Sequence, residues 1–515
     1  MNTFLRKNLV LLITLAAITA FFIASAQGMG AQDFIITLLR GLSVGAVTFL
    51  VASGFSLIFG LLDVLNLAHG TLFMIGAYIG WSVYVRPDTF VDLLTPLALV
   101  FSGFMLRDVY PHLSTRIRLG LSMKRILPWA LMLVSILLFV FILPRYPIAV
   151  WNLDNYAQSP VTYSFMADQG TRLPAPTVAF DQITPAFAIL GLLLASLIGS
   201  FSLSLFDQSM QRPVHLTWRN FAGFALLLLI GLTCFVFNDT LTNFLTSLNT
   251  NWLFLIAILV ATLSGAGLGA LMESTLIRPL YSRPIYQLML TIGLSAIGVQ
   301  IVQAIWGRPE FVMPKPTMFN GSGAGCPATG FSSWWQNHCS TILLFDGRVR
   351  VYNEIFIPLV GLLVLIGVWI LLQRTRLGMV IRAGVQDREM VEALGINVRR
   401  VFTMVFALGV GLAALGGVLA APSTGLSNAM GESLLLNALI ALAIGGLTSY
   451  PGAALGSLLV GLIQQFIIKY GQIGISIPFT DIVLKPTPPI VPASTVLLMV
   501  IVLLILPNGL LGKKE

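Results

Sequence analysis

The sequence is poor in charged side chains and in the residues that build enzyme active sites. Asp, Glu, Lys and Arg together make up 10% of its 515 residues, whereas 57% are hydrophobic. The four histidines lie in four separate segments, and no H-E-x-x-H, C-x-x-C or G-x-x-x-x-G-K-[ST] motif is present. These absences disfavour a metal site, an intramembrane metalloprotease and ATP hydrolysis by this chain. We therefore expect a protein that is not an enzyme and holds no cofactor.

What the sequence has instead is a series of apolar runs close to membrane-spanning length. They lie near residues 8–26, 34–60, 66–85, 93–106, 127–143, 186–206, 221–238, 252–272, 287–306, 355–372, 401–421, 434–447, 453–470 and 490–507. A water-soluble fold of this size cannot bury so many, so the pattern predicts an all-α, polytopic transmembrane helical bundle. The two shortest runs, 93–106 and 434–447, fit either full spans or re-entrant segments.

The formal net charge of +9 comes from Lys and Arg residues that cluster in short loops between the apolar runs. Threading the predicted spans puts every basic loop on one side, which the positive-inside rule makes the cytoplasmic side. The C-terminus is then cytoplasmic, the bilayer explains the charge, and no nucleic-acid partner is expected. The basic loops are 107–125, 212–219, 278–283, 374–400 and the tail Lys513–Lys514.

Two features belong to the opposite, outer side in this topology. Residues 1–26 have a basic start, an apolar middle and an A-x-A end, which fits either a cleavable secretory signal or an uncleaved first helix. The longer loops 144–185 and 307–354 also lie outside, and the second contains Cys326 and Cys339. Because outer cysteines can oxidise, we predict a disulfide between them.

Three polar side chains interrupt an apolar stretch in "GLLDVLNLAHG", residues 60–70. Asn and His are costly in lipid, so Asn66 and His69 should face the bundle, a cavity or the cytoplasmic rim. They either cap broken helix ends or contact substrate, whereas Asp63 is expected at a helix end. Asn437, on another predicted span, is a second polar candidate for the substrate pathway.

The most patterned cytoplasmic stretch is "QRTRLGMVIRAGVQDREMVEALGINVRR", residues 373–400, which we call the coupling segment. Its apolar residues predict a short amphipathic helix that Gly395 can end in a left-handed conformation. Such a helix either lies on the lipid surface or docks in a groove on another protein.

Here the sequence shows a resemblance. "EALG" (392–395) is similar to the EAA-type loop of permeases of ATP-binding cassette (ABC) importers, and residues 382–422 resemble the branched-chain amino acid permease family. The opening block 41–80 resembles that family as well and contains its N-x-A-H-G signature at Asn66, Ala68, His69 and Gly70. Further similar blocks are "ESTLIRPLYSRP" (273–284), "LTIGLSAIGVQ" (290–300), "AIGGLTSYPGAALGSLLVGLI" (443–463) and "PNGLLG" (507–512).

The resemblance implies a permease subunit of an importer for branched-chain amino acids in the bacterial inner membrane. Its implied partners are a second permease subunit, two ATPase subunits and an outer substrate-binding protein. It places Asn66, His69 and Gly70 near the translocation path. It also makes the coupling segment the contact with an ATPase, through Arg382, Asp387, Glu392, Ala393, Leu394 and Gly395.

The chain departs from the family pattern between residues 86 and 250, where we expect about four extra spans between a first core part (34–85) and a second (251–515). Two roles for this insertion stay open: its helices face the lipid, or they form a docking surface for a partner. Two other functions stay open: the same transporter class acting on urea or short amides, and an ion-coupled secondary transporter. The latter would require paired carboxylates within helices, and the predicted spans contain almost none.

Overall fold

The computed structural model describes residues 29–106, 109–110, 121–146, 153–169, 183–206, 218–386, 388–476 and 483–512, together with Ala16 and Thr19. The predicted run 8–26 therefore lies almost entirely outside the described residues. The chain divides into two compact units. The first comprises Met1–Trp81, Thr250–Ala304 and Arg308–Glu515, and the second comprises Ser82–Asn249 with Ile305–Gly307. The boundaries predicted at 34–85, 86–250 and 251–515 remain predictions.

Helices account for nearly all regular structure in the described residues. The first ten are α1 (Ala31–Leu62), α2 (His69–Val85), α3 (Pro87–Met105), α4 (Leu121–Ile142), α5 (Leu153–Asp168), α6 (Pro185–Phe206), α7 (Trp218–Val236), α8 (Asn238–Ser247), α9 (Thr250–Met272) and α10 (Pro284–Trp306). The others are α11 (Phe331–Asn337), α12 (Ile357–Arg374), α13 (Arg376–Gln386), α14 (Arg388–Ala393), α15 (Val398–Thr424), α16 (Met430–Gly445), α17 (Tyr450–Ile473) and α18 (Ile490–Ile505).

Among the described residues, eight helices are long and apolar enough to cross a membrane, or nine if the pair α7 and α8, bent by 74°, counts as one span. This confirms the predicted polytopic helical class. The short run 93–106 extends into α3, whose 19 residues make it long and apolar enough to cross a membrane. The other doubtful run, 434–447, becomes α16, which has 16 residues and is one of the shorter apolar helices.

In the first unit, α1 and α15 form the centre. Of the 18 residues in the apolar stretch of each of these helices, 78% are buried. The corresponding share is 17% for α10 and for the span that contains α12. Helix α1 packs along α17 and α15, and α9 packs along α15. Close approach depends on small residues: a Cβ added to Gly456 of α17 would overlap the backbone of α16 at Ala441. Lipid supplies no hydrophobic drive between helices, so such close packing stabilises them.

In the second unit, α3 packs against α6 and α7, and α4 packs against α6. Short hydroxyl side chains bridge these helices: Ser135 donates to the Ala195 carbonyl at 2.8 Å, and Thr95 donates to the Gly231 carbonyl at 3.1 Å. Such bonds satisfy polar groups where water is absent. The predicted outer loop 144–185 is not all loop, because α5 lies within it.

The segment between α10 and α12 carries a small hairpin, in which β1 (Thr341–Leu344) pairs antiparallel with β2 (Gly347–Arg350). A second short pair joins β3 (Ile475–Ser476) to β4 (Val483–Leu484). Cys326 and Cys339 are joined by a disulfide beside the first hairpin, with their Cα atoms 5.5 Å apart. A π-helical turn, Val351–Phe356, then leads into α12.

Candidate functional site

The first candidate site is the break between α1 and α2, residues 63–68. Helix α1 ends where Asp63 adopts a left-handed conformation (φ 54°), with its N–H bonded to the Phe59 carbonyl at 2.9 Å. Asp63 is exposed, as expected for a helix-end residue, whereas Asn66 and His69 have no solvent-accessible surface. The chain therefore turns two polar side chains inward and leaves the third at the surface.

Asn66 and His69 both bond to backbone groups. The Oδ1 atom of Asn66 accepts a hydrogen bond from the Ala68 N–H at 3.2 Å, which supports the turn into α2. The Nε2 atom of His69 lies 3.1 Å from the carbonyl oxygen of Val51, in the middle of α1. Because that oxygen can only accept, Nε2 carries the proton and Nδ1 is left as an acceptor. Asn66 Nδ2 and His69 Nδ1 have no partner among the described residues.

This geometry fits the helix-capping interpretation more closely than direct substrate contact. His69 ties the start of α2 to the interior of α1, and its ring meets that of Phe55 edge to face at 5.9 Å. Gly70 continues the packing, because a Cβ there would overlap the backbone of α16 at Gly431. Their assignment to a substrate pathway remains a prediction.

Asn437 belongs to a different set of contacts. It lies on α16 and is half-buried, and its Oδ1 accepts from Gln464 of α17 at 3.2 Å. No described hydrogen bond joins it to Asn66 or His69, although all three lie in the first unit. Sequence reasoning placed these side chains in one pathway, and the structure brings only Asn66, His69 and Gly70 together.

The second candidate site is the coupling segment, where the structure has two short helices, α13 and α14, and then a turn at Gly395 with φ 81°. The left-handed helix end predicted at Gly395 is therefore present. Arg382, Glu392, Ala393 and Leu394 are all exposed, whereas Asp387 lies outside the described residues.

The apolar residues of this segment divide into two sets. Val391 is buried against Val398 and Phe402 at the start of α15, and Ile381 is buried in another cluster with Val405. Met379, Met390 and Leu394 are instead 61%, 64% and 73% exposed. Ile381 and Val391 therefore attach the segment to its own bundle. Of the exposed set, Met390 and Leu394 are close in sequence to Ala393 and Gly395.

A third cluster went unrecognised in the sequence, although it lies in the block "ESTLIRPLYSRP". Glu273, at the end of α9, is fully buried and receives two bonds from Arg278, at 3.1 Å to Oε1 and 2.7 Å to Oε2. The Tyr281 hydroxyl donates to Oε1 at 2.9 Å, and the Thr403 hydroxyl donates to Oε2 at 2.7 Å. The only available signal was a carboxylate at the end of an apolar run, followed five residues later by Arg.

The Glu273 cluster links two parts of the bundle next to the coupling segment. Residues 273–277 form a π-helical turn, a rare distortion that often marks functional positions. Thr403 lies one turn into α15, directly after the coupling segment, and Tyr281 packs edge to face on Phe402, with ring centroids 6.1 Å apart. A displacement of the coupling segment would therefore strain the Thr403–Glu273 hydrogen bond and the Tyr281–Phe402 contact.

The described residues show neither of two arrangements that are common in active sites. They contain no group of three or more His, Cys, Asp or Glu side chains that could hold a metal ion. One G-x-S-x-G sequence, Gly41–Gly45, occurs in the chain, but Ser43 lies inside the long helix α1. A nucleophile elbow requires a sharp turn between a strand and a helix, so this match is not one.

Comparison with known proteins decides the family. Residues 223–507 match the family described as branched-chain amino acid transport system / permease component. That match covers more than half of the chain. The chain belongs to this family of permeases.

Individual relatives agree. Over 271 residues the permease is 27% identical to the high-affinity branched-chain amino acid transport system permease protein LivH of Escherichia coli (strain K12), covering 52% of this chain and 78% of the relative. It is 33% identical over 171 residues to BraD of Pseudomonas aeruginosa, 33% of this chain and 51% of that protein. A probable branched-chain amino acid transport permease protein, LivH, of Methanocaldococcus jannaschii is 28% identical over 111 residues, 22% of this chain and 35% of that protein. No solved structure matches significantly.

The family match and the spans together make the permease a multi-pass membrane protein. The matched range includes the Glu273 cluster, the coupling segment and Asn437. It begins at residue 223 and so omits the opening block 41–80, whose resemblance to the family remains a prediction.

Proposed function

We propose that this permease is a membrane subunit of an ABC importer that carries branched-chain amino acids across the inner membrane. The observation that carries the proposal is the family match over residues 223–507, joined to relatives that are named for branched-chain amino acid transport. Those names do not favour urea or short amides. The permease would supply the pathway, and ATP would be hydrolysed on separate subunits.

The proposed complex contains a second permease subunit, two ATPase subunits and an outer substrate-binding protein. The C-terminus lies in the cytoplasm, on the side of the basic loops. The coupling segment docks on an ATPase subunit through its exposed set, in which Leu394 is 73% exposed beside Ala393 and Gly395. Ile381 and Val391 anchor the segment to the bundle, so that closure of the ATPases moves α15.

An ion-coupled secondary transporter fits less well. Two carboxylates, Glu273 and Glu354, are fully buried among the described residues, and each is paired with arginine. A carboxylate that takes up and releases a coupling proton needs a site where its charge is not permanently compensated. Neither carboxylate therefore has the uncompensated charge that a site for a coupling proton requires.

Expression of the chain with its neighbouring subunits and reconstitution into liposomes would test the proposal. We expect uptake of leucine, isoleucine or valine that requires ATP inside the liposome and the substrate-binding protein outside. Uptake driven by a proton or sodium gradient without ATP would reject the importer class. ATP-dependent uptake of urea but not of leucine would reject the substrate.

A further inference from the structure

A cavity of about 230 Å³ in the first unit lies between α1, the π-helical turn Val351–Phe356, α15, α16 and α17. Its volume is below the roughly 300–1,000 Å³ of pockets for drug-sized ligands, so its occupant must be small. The lining includes the charged side chains Arg40, Arg350 and Glu354. None of the proposed pathway residues lines it.

The charges in this cavity do not balance. Glu354 is fully buried, and its Oε1 accepts from Arg40 Nε at 3.1 Å and from Arg350 Nε and Nη2 at 3.2 Å each. Its Oε2 accepts from the Arg350 backbone N–H at 2.8 Å. Two guanidinium groups against one carboxylate leave one net positive charge.

The arginines also keep unused donors. Each guanidinium has five N–H donors. Arg40 reaches Glu354 through Nε alone, so its two terminal nitrogens have no partner among the described residues. Arg350 uses Nε and Nη2, which likewise leaves Nη1. Arg40 and Arg350 are 38% and 49% exposed at the side chain, whereas the Glu354 side chain is 0% exposed, so solvent reaches the arginines but not the carboxylate.

The rest of the lining suits the other two parts of an α-amino acid. Val44, Val47, Ile357 and Leu434 form an aliphatic wall. Thr424, the last residue of α15, also lines the cavity, and the negative end of a helix favours a cationic group. Guanidinium donors, an apolar wall and a helix C-terminus together match a carboxylate, an aliphatic side chain and an ammonium group.

We propose that this cavity binds a small aliphatic α-amino acid, with its carboxylate held by Arg40 and Arg350. The inference deepens the proposed function and rests on it for the identity of the ligand. In the proposed topology the cavity lies towards the outer side, where an amino acid released by the binding protein would arrive. The cavity would then be the first binding site on the permease, which the substrate reaches before the translocation pathway.

The test is binding of radiolabelled L-leucine to the full chain in lipid nanodiscs, without ATP and without the binding protein. We expect saturable binding that leucinamide, which lacks the carboxylate, and 4-methylpentanoate, which lacks the amino group, compete for at least tenfold less well. Arg40→Gln and Arg350→Gln should each weaken leucine binding about tenfold or more, since each removes charged donors. Each variant leaves the other arginine on Glu354 and should fold.

Arg348→Gln is the matched control, because Arg348 is an exposed arginine on β2, two residues from Arg350, and does not line the cavity. It should bind leucine like the unaltered chain. Leu434→Trp should abolish binding by filling the cavity without changing its charge. The same preparations, reconstituted with all subunits, report leucine uptake separately.

Three results would overturn the inference. One is a chain that binds no leucine although its reconstituted complex transports it, which leaves the proposed function intact. Another is unchanged leucine affinity in both arginine variants together with weaker capture of the substrate-binding protein, which would make the arginines a protein-docking site. The last is equal competition by leucinamide. Leucine binding without leucine transport would instead uphold the cavity and reject the proposed function.

Discussion

The hydroxyl of Thr403 donates to the buried carboxylate of Glu273 at 2.7 Å and joins α15 to the end of α9. These residues are 130 positions apart in the chain. Arg278 contacts both, at 2.7 Å to the Thr403 hydroxyl and 2.7 Å to Glu273 Oε2. The segment immediately before Thr403 is the one that we propose docks on the ATPase. In that proposal this contact would carry the motion of the segment to the helices.

The Glu273 cluster gives the first prediction. Thr403→Val keeps the shape of the side chain but removes the hydrogen bonds between its hydroxyl and the charged groups of Glu273 and Arg278. A hydrogen bond to a charged group is worth about 1.5–3 kcal/mol. We expect a complex that still assembles, is measurably less heat-stable, and loses much of the stimulation of ATP hydrolysis by loaded binding protein. The measurement pairs a thermal unfolding assay with ATP turnover in the reconstituted transporter.

Thr262→Val is the matched control for that variant. Thr262 lies on α9, and its hydroxyl donates at 2.7 Å to Ile258 of its own helix. It should change neither quantity appreciably. Equal stimulation in Thr403→Val and in the unaltered complex would show that the cluster has only a structural role.

The second prediction concerns ATPase docking at Gly395. Its φ of 81° is rarely adopted by side-chain-bearing residues, and a β-branched residue held there costs on the order of 1–3 kcal/mol. Gly395→Val should insert and fold yet lose ATPase association, as should Ala393→Trp, where a bulky group would overpack the contact. Co-purification of ATPase subunits and ATP turnover measure both.

Gly367→Val is the control here, because Gly367 lies on α12 and a Cβ added there meets nothing within 4 Å. It should assemble normally. If Ala393→Trp instead keeps its ATPase and binds the membrane more strongly, the coupling segment is a lipid-surface helix.

The third prediction is that substitutions at Asn66 and His69 reduce stability and transport more than a substitution at Asp63. Replacing either buried residue with Leu removes a bond to the backbone, and an unsatisfied buried group costs about 1–3 kcal/mol. His69→Leu removes the bond from Nε2 to the Val51 carbonyl that ties α2 to α1, so both stability and transport should fall. Asp63→Asn, at an exposed left-handed position that Asn tolerates, should be near neutral.

Transport assays and thermal unfolding of the same preparations test this prediction. A His69→Leu protein with normal stability but greatly reduced transport would favour direct substrate contact over capping. Normal stability together with normal transport would show that His69 neither caps the helix nor contacts substrate.

The disulfide gives the fourth prediction. Cys326 and Cys339 close a loop with a sequence separation of 13, for which chain entropy contributes about 3 kcal/mol. The denatured protein should expose one reactive thiol without reductant and three with it, since the chain has three cysteines. Cys234, on α7, serves as the internal standard. Three thiols in both conditions would reject the bond.

The sequence by itself determined the class of this protein. Apolar runs such as those that become α9 and α15 dictate helices, because only helices satisfy their own backbone hydrogen bonds in lipid. Gly395 as a helix end also follows from local chemistry, since a glycine after the last apolar residue relieves the strain of a positive φ. The resemblance to permeases rested on contiguous blocks, which need no knowledge of the fold.

Only the tertiary structure decided which polar residues meet. Glu273 and Thr403 are distant in the chain, as are Arg40 and Glu354, which lie 314 positions apart, and no local periodicity pairs them. The division of the coupling segment into buried Val391 and exposed Leu394 depends on where α15 packs. Helical spacing shows that two residues share a face, but which neighbour covers that face is set by long-range packing.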